Sequence, residues 1–349
     1  DILRMDTSDG QCLSPDPPVN GCKMRHTKLL RVLTRLRHGK APRKGPRRTL
    51  EERLSLLRRC TRRNRSHPTA FLRKAEVLIH LAAKNDDRDT WREEAEEALL
   101  KHLARSHGLR HERRGRVALA EHLLCVVRQE TPQAISQDYI SNLFDHFSTS
   151  FERSLDYLNY QVPKLMMQAL RWTWWEIGEQ RSALRVLDLG AGTGLLGEQL
   201  RDSAPRSFIE GLDLSSAMLQ QAKKKGCYDR LHHQEISDFL QVSNECYDLI
   251  TAADVFGYVT MLDPILRLAR RRLVPEKGLL LFSVEEPKNS ESFCLEASGR
   301  VAHSAAYVLG LAAAIGFQVL RRLDGDLRLE HGRPVPGHIF VLSAGIVDD

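Results

Sequence analysis

From residue 185 onward the apolar positions fall into short runs separated by helical stretches. The runs are RVLDL (185–189), FIEGLDL (208–214), LHHQEI (231–236), YDLITAADV (247–255) and GLLLFSV (278–284). Alternation of this kind predicts strands joined by crossover helices, hence a parallel sheet. A terminal pair, FQVLRRL (317–323) and HIFVLSA (338–344), predicts an antiparallel finish. Upstream the period changes. Ala95, Ala98 and Leu99, like Leu119, Leu123 and Val126, recur at helical spacing and predict helices over 70–83, 90–105 and 112–128. Residues 138–177 add helices with a dense aromatic load, and residues 1–22 are polar with Pro and Gly, as in a loop or tail. LLRVLTRL (29–36) and TLEERLSLLRR (49–59) place Leu at helical spacing beside Arg. Thr49 and Glu52 have capping-box spacing for the second of these basic helices.

Charge divides the chain further. Between Lys23 and Arg65 there are 17 Lys/Arg against Glu51 and Glu52, a net +15, whereas the whole chain is only +7 and the remainder sums to −8. Three regions follow: a basic, partly helical arm over 1–66, a helical, repeat-like module over 67–130, and an α/β domain over 131–349. Cations this dense can neutralise several phosphates, so RNA or a ribonucleoprotein is the expected partner of residues 23–65. The helical module is an expected surface for protein partners. A solvated arm, an organellar presequence remnant and a dock for an acidic protein are the alternatives.

Composition narrows the class. A hydrophobic content of 42% and a mean hydropathy of −0.37 describe a core-forming protein without a run near the ~18–20 apolar residues of a membrane span. The seven cysteines (12, 22, 60, 125, 227, 246 and 294) are scattered and form no CxxC pair. Neither structural zinc nor a disulfide framework is expected, no metal site is read, and a reducing intracellular compartment fits, mitochondrial matrix or cytosol. The chain begins at Asp1 rather than Met, as expected of a processed or truncated protein.

The chemistry centres on RVLDLGAGTGLLGEQL (185–200), which puts four glycines straight after the first predicted strand and at the opening of a helix. Bare backbone there lets a ligand lie against the main chain. A dinucleotide fingerprint would put its third glycine at Leu195, and it falls at Gly194 instead; a phosphate loop would need Gly-Lys-Ser/Thr, which is absent. Asp213 ends the second strand, 23 residues after Gly190. A carboxylate at that position can accept from two ribose hydroxyls.

LDLGAGTGLLG resembles motif I of the class I S-adenosylmethionine-dependent methyltransferases. The resemblance implies S-adenosylmethionine as cofactor and a Rossmann-like, seven-stranded sheet with an antiparallel last strand, here preceded by the basic helical region. It implies that Asp188 orients the amino-acid end of the cofactor and that Gly190, Gly192 and Gly194 admit the methionine moiety and ribose. Glu235 stands where the family has an Asp against the adenine amino group, Ile236 is its apolar neighbour, and Asp238 is a substitute for that contact. More narrowly, residues 139–344 resemble predicted methyltransferases often fused to tetratricopeptide-like repeats. LFDHFSTSFERSLDYLNYQVP, the glycine turn, GLDLSSAMLQQAKKKGCYDRLH, AADVFGYV, SVEEP, GRVAHSAAYV and GRPVPGHIFVL carry that likeness.

Groups acting on an acceptor should line the carboxyl edge of the sheet. Asp254 and Tyr258 follow strand four, Glu285 follows strand five, and Arg300, His303 and Tyr307 lie in a segment with the polar density of a lid. Asp254, Tyr258 and His303 are the candidate catalytic groups; Glu285, Arg300 and Tyr307 are the candidate acceptor contacts. His303 is either a general base or a histidine bonded within its loop. AADV stands where nucleic-acid amino-methylating enzymes carry NPPY or DPPY. The function expected is methyl transfer from S-adenosylmethionine to an unidentified acceptor, with RNA or protein favoured. The alternative is a catalytically silent assembly factor of a ribonucleoprotein or other large complex, docked through its basic arm.

Overall fold

The computed structural model describes residues 49–63, 68–82, 88–106, 114–178, 183–289, 291–330 and 332–345. The expected helix over 29–36 and most of the basic arm lie outside them. The chain divides into two compact units, parting between Gln129 and Glu130.

Four helices make up the described part of the first unit: α1 (Leu50–Arg63), α2 (Pro68–Ala82), α3 (Arg88–Ser106) and α4 (Arg114–Arg128). The capping box of α1 is reciprocal: Glu52 N donates to Thr49 Oγ1 at 3.2 Å, and Thr49 N donates to Glu52 Oε2 at 3.1 Å. Despite its arginines, α1 buries Leu54 and Leu57 in one core with Leu72, Leu78, Leu99 and Leu123. It therefore belongs to the same packed unit as α2, α3 and α4.

The second unit opens with α5 (Gln137–Phe147), α6 (Phe151–Tyr157) and α7 (Val162–Glu176). Strands β1 (Arg185–Leu189), β2 (Phe208–Asp213), β3 (Arg230–His233), β4 (Leu249–Ala252) and β5 (Leu279–Glu285) follow. Between them run α8 (Leu195–Ser203), α9 (Ser216–Lys225), α10 (Ile236–Val242) and α11 (Asp263–Arg271). A short hairpin, β6 (Phe293–Leu295) and β7 (Val301–His303), precedes α12 (Ala305–Ile315), β8 (Gln318–Glu330) and β9 (Arg333–Ser343). The seven-stranded sheet has the order β3-β2-β1-β4-β5-β9-β8, with β1 to β5 parallel and β9 antiparallel to both its neighbours.

The strands read as unbroken apolar runs because both faces of the sheet are covered. Along β5, Leu279 and Leu281 join a core with Val162, Met166 and Leu170 of α7 and Leu196 and Leu200 of α8. The alternate residues, Leu280 and Phe282, join the opposite core with Leu262, Leu266, Val308 and Ala312. Strand order reverses between β1 and β4, so the segment after β1 emerges at the topological switch point.

Three local expectations are revised. The run 231–236 is not all strand: β3 stops at His233, and Glu235 becomes the N-cap of α10, its carboxylate accepting from Asp238 N at 2.9 Å. The lid expected around His303 is regular structure. Val301, Ala302 and His303 form β7 and are fully buried, and Ser304 caps α12 by accepting from Tyr307 N. The terminal strands are also longer than their apolar runs, pairing from Gln318↔Ser343 to Glu330↔Arg333 with register shifts between Val319 and Arg321 and between Asp326 and Arg328.

Candidate cofactor and acceptor site

Asp188 lies one residue before the end of β1 and is 1% exposed. Its neighbours in the ladder are Gly211 on β2 and Thr251 on β4. Thr251 Oγ1 donates to Oδ1 and Tyr228 Oη donates to Oδ2, each at 2.6 Å. Burial pushes the Asp188 carboxyl up to about 6, and the two hydroxyls oppose that rise.

The turn then runs through Gly190, Gly192 and Gly194 at φ +66°, +54° and +89°, left-handed values that side chains with a Cβ resist. Gly190 is required for space as well, since a Cβ there would lie 2.5 Å from Val255 Cγ2 in the loop after β4. In front of Gly192 the space is open, the nearest heavy atom to a Cβ being Gly190 O at 4.0 Å. Ala191 N donates to Leu212 O at 2.9 Å, and Gly192 N donates to Asp213 Oδ2 at 2.9 Å, so the turn is fastened to the tip of β2. Ser215 N donates to Asp213 Oδ1 at 2.8 Å. Burial raises the Asp213 carboxyl, while the Ser215 and Gly192 amides favour its anion. One backbone donor on each oxygen leaves Asp213 with acceptor capacity for two hydroxyls.

Helix α5 sits over this edge. Asp145 accepts from Ser215 Oγ at 2.6 Å, Ser141 Oγ donates to Leu214 O at 3.3 Å, and the Phe144 ring meets Tyr258 edge-on at 5.2 Å. Ile236, the first residue of α10, packs at the margin of the core next to the capping Glu235. The glycine turn, the Asp213 carboxylate and the Glu235–Ile236 step thus lie along the carboxyl ends of β1, β2 and β3. A bare backbone curve beside a carboxylate with free lone pairs fits the ribose and amino-acid end of S-adenosylmethionine.

On the other side of the switch point the structure joins four of the six acceptor-side candidates. The guanidinium of Arg300 contacts both Glu285 Oε1 and Asp254 Oδ1, donates to Tyr258 Oη at 3.2 Å, and lies 5.0 Å over the Tyr258 ring. Arg328, from β8, donates to Glu285 Oε1 at 2.8 Å. The side chains of the four ions are only 5–17% exposed. Burial pushes Glu285 up, but Arg300 and Arg328 more than reverse this and hold it at about 2. Two carboxylates and two guanidiniums balance. Asp254 holds φ +62° within this cluster, its amide donating to Ser283 Oγ at 2.8 Å.

His303 and Tyr307 lie apart from the cluster. The His303 ring is fully buried, Nε2 lies 3.2 Å from Thr260 O, and Nδ1 has no partner among the described residues. Burial pulls its pKa down to about 4, so the ring is neutral near pH 7. Tyr307 stacks on it at 6.0 Å and accepts from Leu262 N at 3.3 Å. His338 is bracketed by Asp324 at 2.7 Å and Glu286 at 2.5 Å. Arg328 is a site residue outside the quoted sequence stretches, and Asp145, Ser215, Tyr228 and Thr251 lie within them without a role that the sequence assigns. Tyr228, Thr251, Asp145 and Arg328 each bond a partner distant in the chain, and only the glycines that face Tyr228 leave a trace of its contact in the sequence.

Residues 180–308 match a family model described as "Methyltransferase domain". The malonyl-[acyl-carrier protein] O-methyltransferase of Geobacter sulfurreducens is 33% identical over 102 residues, covering 29% of this chain and 38% of that one. The mitochondrial ubiquinone biosynthesis O-methyltransferase of Saccharomyces cerevisiae is 31% identical over 108 residues, covering 30% and 35%. This chain spans less than two thirds of the length of either. An S-adenosylmethionine-dependent methyltransferase structure from Clostridium acetobutylicum aligns over 58% of this chain and 98% of its own, with a TM-score of 0.41 and 17% identity. With the sheet order, the glycine turn and Asp213 in place, the second unit carries a class I S-adenosylmethionine-dependent methyltransferase domain.

Proposed function

We propose that this protein is an S-adenosylmethionine-dependent methyltransferase whose acceptor is RNA or a protein. The observation that carries the cofactor half is the fastening of the glycine turn to Asp213. Gly192 N and Ser215 N each donate to one carboxylate oxygen, which leaves acceptor capacity on both oxygens. When bound, S-adenosylmethionine supplies a methyl group on a sulfonium, an electrophile that needs no further activation. The chain's own work is then to position and to exclude water. Asp213 holds the ribose hydroxyls, Asp188 fixes the start of the turn, Ile236 offers an apolar edge to the adenine, and α5 covers the site. The Glu235 carboxylate keeps one oxygen on Asp238 N and has acceptor capacity left for an amino group.

The acceptor half rests on charge. In the first unit Arg58, Arg62, Lys74, Lys101 and Arg105 line a cleft of about 780 Å³ against only Glu94 and Glu97. Glu94 pairs with both Arg58 and Lys74 and cancels one of the two charges, whereas Arg62 and Arg105 form no ion pair among the described residues. The +15 block over 23–65 leads into the same helices. Phosphates of RNA are the ligand such a surface suits. The finer likeness, to methyltransferases fused to tetratricopeptide-like repeats, is supported by the helical unit ahead of the sheet. The matched relatives' names point to a carrier-protein thioester and to ubiquinone synthesis, and those acceptors are competing outcomes of the test.

One observation favours a silent assembly factor as the second reading. Asp254, Tyr258, Glu285 and Arg300 satisfy one another, and His303 is sealed in the core. The deciding experiment is calorimetry with S-adenosylhomocysteine, followed by transfer of labelled methyl to total RNA and protein fractions. Cofactor binding with label in one fraction supports the enzyme; binding with no label in any fraction supports the assembly factor.

A further inference from the structure

Tyr228 reaches Asp188 through a slot that glycines leave open. A Cβ on Gly197 would lie 2.4 Å from its ring, one on Gly211 2.8 Å, and one on Gly194 3.2 Å. Gly197 is on α8, and Gly211 is the residue of β2 paired with Asp188. A side chain at either position would occupy the space the ring now fills. The ring stands in the segment between α9 and β3, and its hydroxyl meets Asp188 Oδ2 at 2.6 Å. Thr251 approaches the other oxygen from β4, also at 2.6 Å. The carboxylate is therefore held by one neutral hydroxyl from each side and, among the described residues, by no cation.

We infer that Tyr228 is a positioning residue of the cofactor site: its hydroxyl keeps Asp188 anionic and fixed at the root of the glycine turn, and so sets the lower pH limit of cofactor binding. The inference rests on the reading of the turn as an S-adenosylmethionine site. Tyr228 does not itself reach the cofactor; it acts through Asp188. The titratable groups facing Asp188 are Asp213 from β2, Tyr228 and Cys227 from the segment before β3, and Tyr160 ahead of α7. None of these is a cation, so hydrogen bonds alone oppose protonation of the buried acid. Burial already raises Asp188 to about 6, and each hydroxyl works against that. Losing one moves protonation into the neutral range.

The test is calorimetric titration of the full chain with S-adenosylhomocysteine from pH 5 to 7.5, for wild type, Tyr228→Phe and Thr251→Val. Tyr228→Phe keeps the ring in its slot and removes only the hydroxyl. Wild-type affinity should be flat near pH 7.5 and fall below about pH 6. In Tyr228→Phe the fall should begin about one unit higher, giving a loss of roughly threefold near pH 6.5 that approaches tenfold toward pH 5 and largely recovers at pH 7.5. Thr251→Val should move the profile in the same direction, which keeps the test available should Tyr228→Phe fold poorly. Asp188→Asn should bind weakly, with a profile that keeps only the slope contributed by Asp213. A Tyr228→Phe curve parallel to wild type, with an unmoved midpoint, overturns the inference and leaves the ring as filler. A wild type that binds no S-adenosylhomocysteine at any pH overturns the cofactor reading itself.

Discussion

Gly192 and Asp213 are 21 residues apart in sequence, yet the amide of one donates to the carboxylate of the other at 2.9 Å. The bond ties the turn after β1 to the tip of β2, so the two halves of the cofactor site are a single element. Asp213→Ala should disrupt both. The Gly192 and Ser215 amides lose their acceptor, and the ribose loses its own. Affinity for S-adenosylhomocysteine should fall at least tenfold, with a stability loss of about 1–3 kcal/mol for the stranded donors. Asp213→Asn, which keeps one acceptor oxygen, should lie between. Calorimetry and thermal unfolding on the same samples check this, and unchanged affinity in Asp213→Ala would remove the ribose assignment.

The buried cluster around Glu285 predicts an acid-sensitive fold. Its carboxyl is held at about 2 against an ordinary 4.5. A depressed carboxylate contributes stability that is complete above the unfolded value and is lost as pH falls from about 4.5 toward 2. The contribution of Glu285 is on the order of 3 kcal/mol, and Asp254, raised by burial, works in the opposite sense as pH falls. Arg300→Leu should cost about 3–5 kcal/mol near neutral pH, because Glu285 and Asp254 then have only Arg328 between them. It should also move acid unfolding upward in pH. Urea unfolding at pH 7, 5 and 3 measures both; equal stability at all three pH values in wild type would contradict it.

How much of this was legible in the sequence depended on how local the cause was. Gly190 and Asp213 could be read because a left-handed turn and a strand-tip acid are demands of the local backbone and of one ligand group. The strands could be read because burial on both faces makes them continuous apolar runs. Tyr228, Thr251 and Arg328 could not. Their partners lie 40, 63 and 43 residues away, and no periodicity links such distances. His303 was misplaced because β6 and β7 have three residues each, too few to show alternation. In α1 the arginines hid Leu54 and Leu57, the two residues that tie it to the helical unit.

His303 gives a second, separate pH window. Burial holds its pKa at about 4 against an ordinary 6.5. For a histidine held neutral, stability is complete above the unfolded value and is lost as pH falls from about 6.5 through 4. His303→Phe should remove that component, so the variant loses less stability than wild type between pH 6.5 and 4.5. It should leave S-adenosylhomocysteine affinity within about twofold, because the ring touches Thr260, Phe293 and Tyr307 and none of the cofactor loop. Thermal unfolding across this range is the check. An identical pH dependence in both proteins would mean that the ring charges within the fold.

Residues 23–65 and the cleft of the first unit should bind RNA through its phosphates. Deleting the basic stretch up to His67 is a poor test, because it also removes Leu54 and Leu57 from the helical core. Charge reversal of the two guanidiniums that form no ion pair among the described residues, Arg62→Glu with Arg105→Glu, leaves Leu54 and Leu57 in place and gives up only the Arg105 contact with the Phe71 ring and two bonds to backbone carbonyls. Phosphate neutralisation releases counterions, so wild-type affinity for a structured RNA should fall steeply with salt. The log–log slope should have a magnitude of about 4 or more and should not depend on base sequence. The double variant should bind more weakly, with a slope smaller by about 2, one unit for each phosphate contact removed. Fluorescence anisotropy from low to physiological salt measures both quantities. Equal slopes for wild type and variant would move the RNA site away from the cleft, and a shallow slope for both would make the basic block a protein-docking element.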